Sequence, residues 1–230
     1  MVFQGVQKLT LLDFPGRVAC TLFTGGCNLR CPFCHNAGIV RTPDPKGMSE
    51  AQVYAFLGTR IGVLDGVCVT GGEPLLWAAD LEEFFRSVKE MGFATKLDTN
   101  GCYPGPLRRL IDQKLVDYVA MDIKNSPERY AETTGIPDLD LGPVRESVSM
   151  LLEGRVDYEF RTTVVRQFHD EQSLLSAAEW IRGAKRYALQ KFTDSGALMT
   201  EGLSGWDDDT MRHLADAVRT VIPHTQLRGL

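Results

Sequence analysis

Three cysteines, Cys27, Cys31 and Cys34, stand within eight residues, while Cys20, Cys68 and Cys102 lie apart from them and from one another. The spacing C-x3-C-x2-C puts three thiols on one short loop, and Gly25 and Gly26 just before it let the backbone wrap closely. Soft thiolates select zinc, copper(I) or iron–sulfur clusters. A structural zinc wants a fourth ligand, and His35 is next in sequence to Cys34. A cubane [4Fe–4S] cluster ordinarily takes four cysteines, so three would leave one iron open to an outside ligand. A disulfide framework fits poorly. The opening residues MVFQGVQK have neither a basic nor an apolar signal region, and a tight cysteine cluster without an export signal points to metal. Cys20 and Cys68 sit in apolar runs and read as small buried core residues, and Cys102 reads as a loop thiol after Asn100–Gly101.

Other groups with chemical potential also follow apolar runs. Gly71, Gly72, Glu73 and Pro74 come after one such run; the glycines admit a close neighbour, and Glu73 offers acceptors to an ammonium. Taken alone, GGEP reads first as a plain turn from strand to helix. Asp98 and Asp122 end two further runs, with Lys124 just beyond, and singly they read as strand-end acids or a solvated lysine. Arg161 either points inward or lies on an outer surface. His169, His213 and His224 have no partner cluster in sequence and read as surface residues, and Trp77, after GGEP, either edges a groove for the partner or caps the barrel.

The elements that must position these groups alternate regularly. Runs at 17–23, 66–70, 94–98, 118–123, 158–165 and 187–192 read as strands, with a possible seventh at 225–227. Ser49 with Gln52 makes a capping box for a helix to Gly58. Asp80 with Glu83 caps a helix whose stripe is Leu81, Phe84, Phe85, Val88 and Met91. Further helices read at 106–113, from Ser126, at 144–152, from Asp170 to about Gly183, and at 207–221. This βα alternation predicts an α/β fold with a parallel sheet, a partial barrel of about six strands in a single domain over residues 1–230. The cysteine loop, GGEP, Asp98 and Asp122–Lys124 then all fall at the carboxyl ends of strands, where parallel barrels place their active sites.

Composition narrows the class of partner. The chain has 230 residues, 43% hydrophobic and 24% charged, which excludes a disordered or fibrous protein. Thirty acidic against 25 basic residues give net charge −5, so no nucleic-acid partner is expected. The uncharged run 18–29 is too short and polar to span a bilayer, and a cytoplasmic protein without membrane association is expected.

GGCNLRCPFCHN (25–36), with Phe33 before the third cysteine, resembles the signature of the radical S-adenosylmethionine (SAM) superfamily, and VTGGEP (69–74) resembles its methionine-binding motif. LLDFPGRVACTLFTGGCNLRCPFCHN (11–36), LDTNG (97–101) and MDIK (121–124) are similar to the glycyl-radical-enzyme activases, closest to those of anaerobic ribonucleoside-triphosphate reductase. The resemblance covers most of residues 5–125. It implies a [4Fe–4S] cluster on Cys27, Cys31 and Cys34, with SAM chelating the open iron through its amino and carboxylate groups. It also implies that Gly71, Gly72 and Glu73 hold the methionine amino end and that Phe33 and His35 lie near the adenine. Asp98, Asp122 and Lys124 match positions that hold SAM and a monovalent cation. The implied reaction is one-electron cleavage of SAM to methionine and a 5′-deoxyadenosyl radical, which takes a hydrogen from a glycine of a partner enzyme. The implied donor is flavodoxin or ferredoxin. With only Cys68 between Cys34 and Glu73 there is room for one cluster, and the late stretch LQKFTDS (189–195) lacks the histidine that pyruvate formate-lyase activases carry there. Two other readings share parts of the pattern: a small-molecule radical SAM enzyme of the 7-carboxy-7-deazaguanine synthase type, and a non-catalytic zinc protein with His35 as fourth ligand.

Overall fold

The alternating runs form one nine-stranded sheet. The computed structural model describes residues 1–230. Its strands are β1 (Val2–Thr10), β2 (Ala19–Thr24), β3 (Met48–Ser49), β4 (Gly66–Gly71), β5 (Ala94–Thr99), β6 (Tyr118–Asp122), β7 (Asp157–Val164), β8 (Tyr187–Lys191) and β9 (Thr225–Arg228), in the order β3-β1-β2-β4-β5-β6-β7-β8-β9. From β2 to β9 every neighbouring pair is parallel. β3 and β9 are the two ends, so the sheet is not closed and the molecule is a partial barrel with a lateral gap.

Seven parallel strands thus stand where about six were expected, the tentative run at 225 being a true strand. The sequence reading missed β1 and β3, which pair antiparallel at one end. β1 (VFQGVQKLT) is half exposed and carries Gln4, Gly5, Gln7 and Lys8, so it lacks the continuous apolar run of a strand covered on both faces.

The helices are α1 (Ala37–Arg41), α2 (Glu50–Gly58), α3 (Ala78–Glu90), α4 (Pro104–Asp112), α5 (Tyr130–Thr134), α6 (Gly142–Leu152), α7 (Glu171–Trp180) and α8 (Asp208–Arg219). No helix is long and apolar enough to cross a membrane. The capping box of Ser49 and Gln52 opens α2, and Asp170 and Asp207 cap α7 and α8. α3 buries Leu81, Phe84, Phe85 and Val88, with Met91 at its C-cap. It begins two residues before the expected cap because a 3-10 turn over Pro74–Trp77 feeds directly into it. Asp80 therefore sits in the first turn, 3.3 Å from the amino terminus of the chain.

One face of the sheet lines the barrel. Asp98, Asp122 and Arg161 border the same cavity, so by the two-residue period of a strand Lys96, Tyr118 and Glu159 share that face lower down. Barrels of this kind usually fill their interior with branched aliphatic side chains. Here the filling is charged.

Candidate active site

The loop after β2 carries the three thiols and is tied down on several sides. Gly26 N–H donates to the Ile39 carbonyl (2.9 Å), Arg30 N–H to the Thr134 carbonyl (2.9 Å), and Thr200 N–H to the Pro32 carbonyl (3.0 Å). The Arg30 guanidinium closes the loop on the carbonyls of Cys27 and Leu29. Leu29, Cys31, Phe33, Val165 and Phe192 form a small apolar cluster of their own, against which Cys27, Cys34 and Cys102 pack. Burial pushes the Cys31 thiol up to about 12 and raises that of Cys27, so metal loading must displace protons. Cys27 Sγ receives the Leu29 N–H at 3.4 Å and the Asn100 amide at 3.7 Å.

The thiols face a cavity of about 240 Å³ that Gly71, Gly72, Asp98, Asp122, Lys124 and Arg161 also line. All the motifs named from sequence meet here, from four successive parallel strands. Phe33 and His35 border the cavity as well. Phe33 is packed against Phe168 and His169, and His35 is exposed with its ring edge-on to Phe192.

The glycines serve a second purpose that the sequence did not show. A side chain at Gly72 would lie 1.8 Å from the Gly26 carbonyl oxygen, and one at Gly71 2.4 Å from the Thr24 amide nitrogen. Gly71 also has φ of +117°. The close neighbour is thus the backbone of the cysteine loop itself, and Gly72 and Glu73 donate their N–H groups to the Thr24 and Gly26 carbonyls at 2.9 and 2.8 Å.

Glu73 departs from its expected role. It is completely buried and does not border the cavity; its carboxylate accepts from Leu75 N–H (3.0 Å), the Thr99 hydroxyl (2.8 Å) and Asn100 N–H (2.7 Å). It caps the 3-10 turn and fixes the end of β5 instead of presenting oxygens to an ammonium. Burial pushes its pKa up to about 7, against the pull of those three hydrogen bonds.

Asp98 and Asp122 are joined by Arg161. The guanidinium donates to Asp98 Oδ2 at 3.1 Å and to Asp122 Oδ1 at 3.0 Å. Lys96 Nζ binds Asp98 Oδ1, and Lys124 Nζ binds Asp122 Oδ2 at 2.9 Å. Burial alone would raise both carboxyls, but these cations outweigh it, lowering Asp98 and holding Asp122 at about 2. Arg161 is therefore the inward-pointing residue of its two possibilities.

His169 was misread and Lys96 was missed. His169 is 1% exposed, not a surface residue: its Nδ1 accepts from Val165 N–H (3.1 Å), so Nε2 carries the proton and donates to the Lys124 carbonyl at 2.8 Å. It steadies the backbone that carries Lys124, a long-range contact with no signal in the sequence around it. Lys96, 1% exposed, was unmarked because in a strand of mixed composition (ATKLDT) nothing in the sequence shows which side of the sheet a lysine takes. His213 and His224 are exposed as expected, Cys20 and Cys68 are buried, and Trp77 donates to the Gly25 carbonyl at 3.0 Å.

The donor set fits a cluster better than a lone ion. Three thiols, Cys27, Cys31 and Cys34, carried by one loop and bordering one cavity, could each hold a separate iron of a [4Fe–4S] cluster and would leave the fourth without a protein ligand.

An open parallel barrel with its thiols and buried charges gathered at the carboxyl ends of its strands defines a class, the cofactor-using α/β-barrel enzymes. The profile of the Radical SAM superfamily matches residues 21–218, and the chain belongs to that superfamily. Within it the chain groups with the glycyl-radical-enzyme activases. A Methanocaldococcus jannaschii protein named for glycyl-radical enzyme activation is 30% identical over 232 residues, which is 98% of this chain and 95% of that one. The pyruvate formate-lyase-activating enzyme of Staphylococcus aureus is 35% identical over 146 residues, 58% of this chain and 57% of its own. Among solved structures, a domain of the pyruvate-formate lyase-activating enzyme of Bacteroides vulgatus superposes with a TM-score of 0.59 at 15% identity, covering 71% of this chain and 99% of that chain. Streptococcus suis SuiB bound to precursor peptide SuiA superposes with a TM-score of 0.73 at 14% identity, covering 91% of this chain and 48% of SuiB. At such identities these two show the shared fold alone.

Proposed function

We propose that this enzyme installs a glycyl radical on a partner enzyme, an anaerobic ribonucleoside-triphosphate reductase, with flavodoxin or ferredoxin as electron donor. The family implies a [4Fe–4S] cluster and SAM. The observation that carries the reading is one cavity lined by Cys27, Cys31 and Cys34 together with Gly71, Gly72, Asp98, Asp122 and Lys124. The motifs at 11–36, 97–101 and 121–124 and the full-length likeness to an activating enzyme support the partner class. The chemistry that cluster and SAM supply when bound is reductive cleavage of SAM to methionine and a 5′-deoxyadenosyl radical, which abstracts hydrogen from a glycine Cα.

The protein's own work is to bind, orient and shield. Cys27, Cys31 and Cys34 would hold the cluster as thiolates, with Leu29, Phe33, Val165 and Phe192 packed about their loop. Gly71 and Gly72 present backbone beside the thiol loop for the methionine end, and Lys124, 17% exposed at the cavity wall, meets its carboxylate. Phe33 and His35 bound the adenine side. Asp98 and Asp122 act through Arg161 and Lys124, and Glu73 acts through the end of β5 that it fixes. The sheet is unclosed between its end strands, which leaves a side on which a loop of a large protein substrate could approach.

The test is anaerobic reconstitution with iron and sulfide, followed by reduction and electron paramagnetic resonance with and without SAM. A reduced-cluster signal that changes on adding SAM, 5′-deoxyadenosine formation, and a glycyl radical on added anaerobic ribonucleotide reductase are expected. A radical on pyruvate formate-lyase alone would change the partner. Turnover of a small heterocycle with no glycyl radical on either enzyme would overturn the activase reading.

A further inference from the structure

The resemblance places a monovalent cation beside Asp98 and Asp122, and the residues present do not fit one. All four carboxylate oxygens already have a cationic partner: Lys96 and Arg161 on Asp98, Arg161 and Lys124 on Asp122. Three positive side chains face two negative ones, so the group carries one net positive charge before any ion is added. An entering sodium or potassium ion would meet three cations and find no free oxygen of either carboxylate.

The sheet explains how one side chain reaches both acids. Arg161 is the register partner of Asp122 on the neighbouring parallel strand. Asp98 lies one strand further on, and its register partner on the intervening strand is Ala120. Ala120 is the inward residue two before Asp122, and its small side chain leaves room for the guanidinium to pass over β6. Arg161 is 15% exposed and Asp98 12%. A planar guanidinium with five donors in a fixed fork suits two carboxylates on different strands, and it never loses its charge.

We propose that Arg161 occupies the place between Asp98 and Asp122 that related enzymes give to a monovalent cation, so that this protein needs no inorganic cation to form its SAM site. The proposal rests on the SAM reading above and adds that Arg161 is a positioning residue, ordering the two acids and through Asp122 the ammonium of Lys124.

The melting midpoint of the cluster-free protein and the SAM affinity of the reconstituted, unreduced protein are measured in sodium, potassium and choline chloride at one ionic strength. The midpoint is expected to be the same in all three salts, and the affinity to agree within about twofold. In Arg161→Met the vacated place admits an alkali ion, so SAM affinity becomes saturable in sodium or potassium and falls about tenfold or more in choline. If that variant does not fold, Arg161→Gln takes its place with the same expectation. Wild-type SAM binding that requires an alkali ion overturns the proposal, and so does a folded Arg161 variant indifferent to the salt. Absence of SAM binding in every salt would instead refute the cofactor reading on which the proposal rests.

Discussion

Cys31 is buried but sits in the small apolar cluster around the thiol loop, outside the main core of the barrel. Replacing it removes a ligand more than a support. Cys31→Ala is expected to lose cluster absorbance and all SAM cleavage while circular dichroism stays native, at a cost of about 1 kcal/mol. Intact SAM cleavage in that variant would remove the cluster assignment. Glu73 makes a different prediction. Its carboxyl has a raised pKa of about 7 against an ordinary 4.5, so the folded chain holds the proton that the unfolded chain releases. This contribution is fully present below about pH 4.5 and is lost as pH rises through 7, amounting to about 3 kcal/mol. The melting point of cluster-free protein should therefore fall between pH 5 and 8 by more than it does in Glu73→Gln. The variant loses stability throughout, because an amide edge now faces backbone donors, but its profile should be flatter over that interval. Identical profiles for the two proteins would mean that Glu73 is ionised throughout. At this scale the sequence names the ligands, since thiol spacing is local. It hides the partners of Glu73 and His169, 26 and 45 residues away, which only the fold brings near, and it does not show that Lys96 turns inward beside Asp98.

The parallel strands and capped helices were legible because their signals are short-range. Ser49 with Gln52, Asp170 and Asp207 each mark a helix start within three residues of chain, and β2, β4 and β6 (ACTLFT, GVCVTG, YVAMD) carry short, mostly apolar stretches. β1 was not legible, since its pairing rather than its composition makes it a strand. The turn after β4 was half legible: GGEP reads as a site, but the reason for its glycines is the cysteine loop one strand away. That reason is testable. The Gly26 carbonyl accepts from Glu73 N–H at 2.8 Å, and a methyl group at Gly72 would occupy the same space. Gly72→Ala must push the turn off the thiol loop, so a loss of about 3 kcal/mol is expected in urea unfolding of the cluster-free protein. Unchanged stability would show that the loop moves freely, and the wall between thiols and glycines would then not be a fixed one.

Across the whole molecule, the barrel is held on its inside by charge. Lys124, Asp122, Arg161, Asp98 and Lys96 form one connected chain down from the cavity, and Lys96 Nζ lies 5.8 Å from the centre of the Tyr118 ring below. Lower still, Glu159, with its side chain 3% exposed, is paired with Arg228 on the last strand at 2.6 Å. Apolar periodicity foresaw the helices outside this barrel but not the filling within it, because an inward lysine and an outward one look alike in sequence. Such a network stabilises only as a whole: each charge is costly to bury, and removing one leaves its partner uncompensated. Lys96 gives the cleanest test, since it does not border the cavity and its charge serves Asp98. Lys96→Met should destabilise the cluster-free protein by about 3 kcal/mol in urea unfolding, and Lys96→Met with Asp98→Asn should recover more than half of that loss. The loss should also persist at high salt, which screens exposed pairs far more than buried ones. Costs that merely add in the double variant would show that Lys96 stabilises the barrel by packing its methylenes, and that the charges inside are tolerated for the site above them without holding the sheet together.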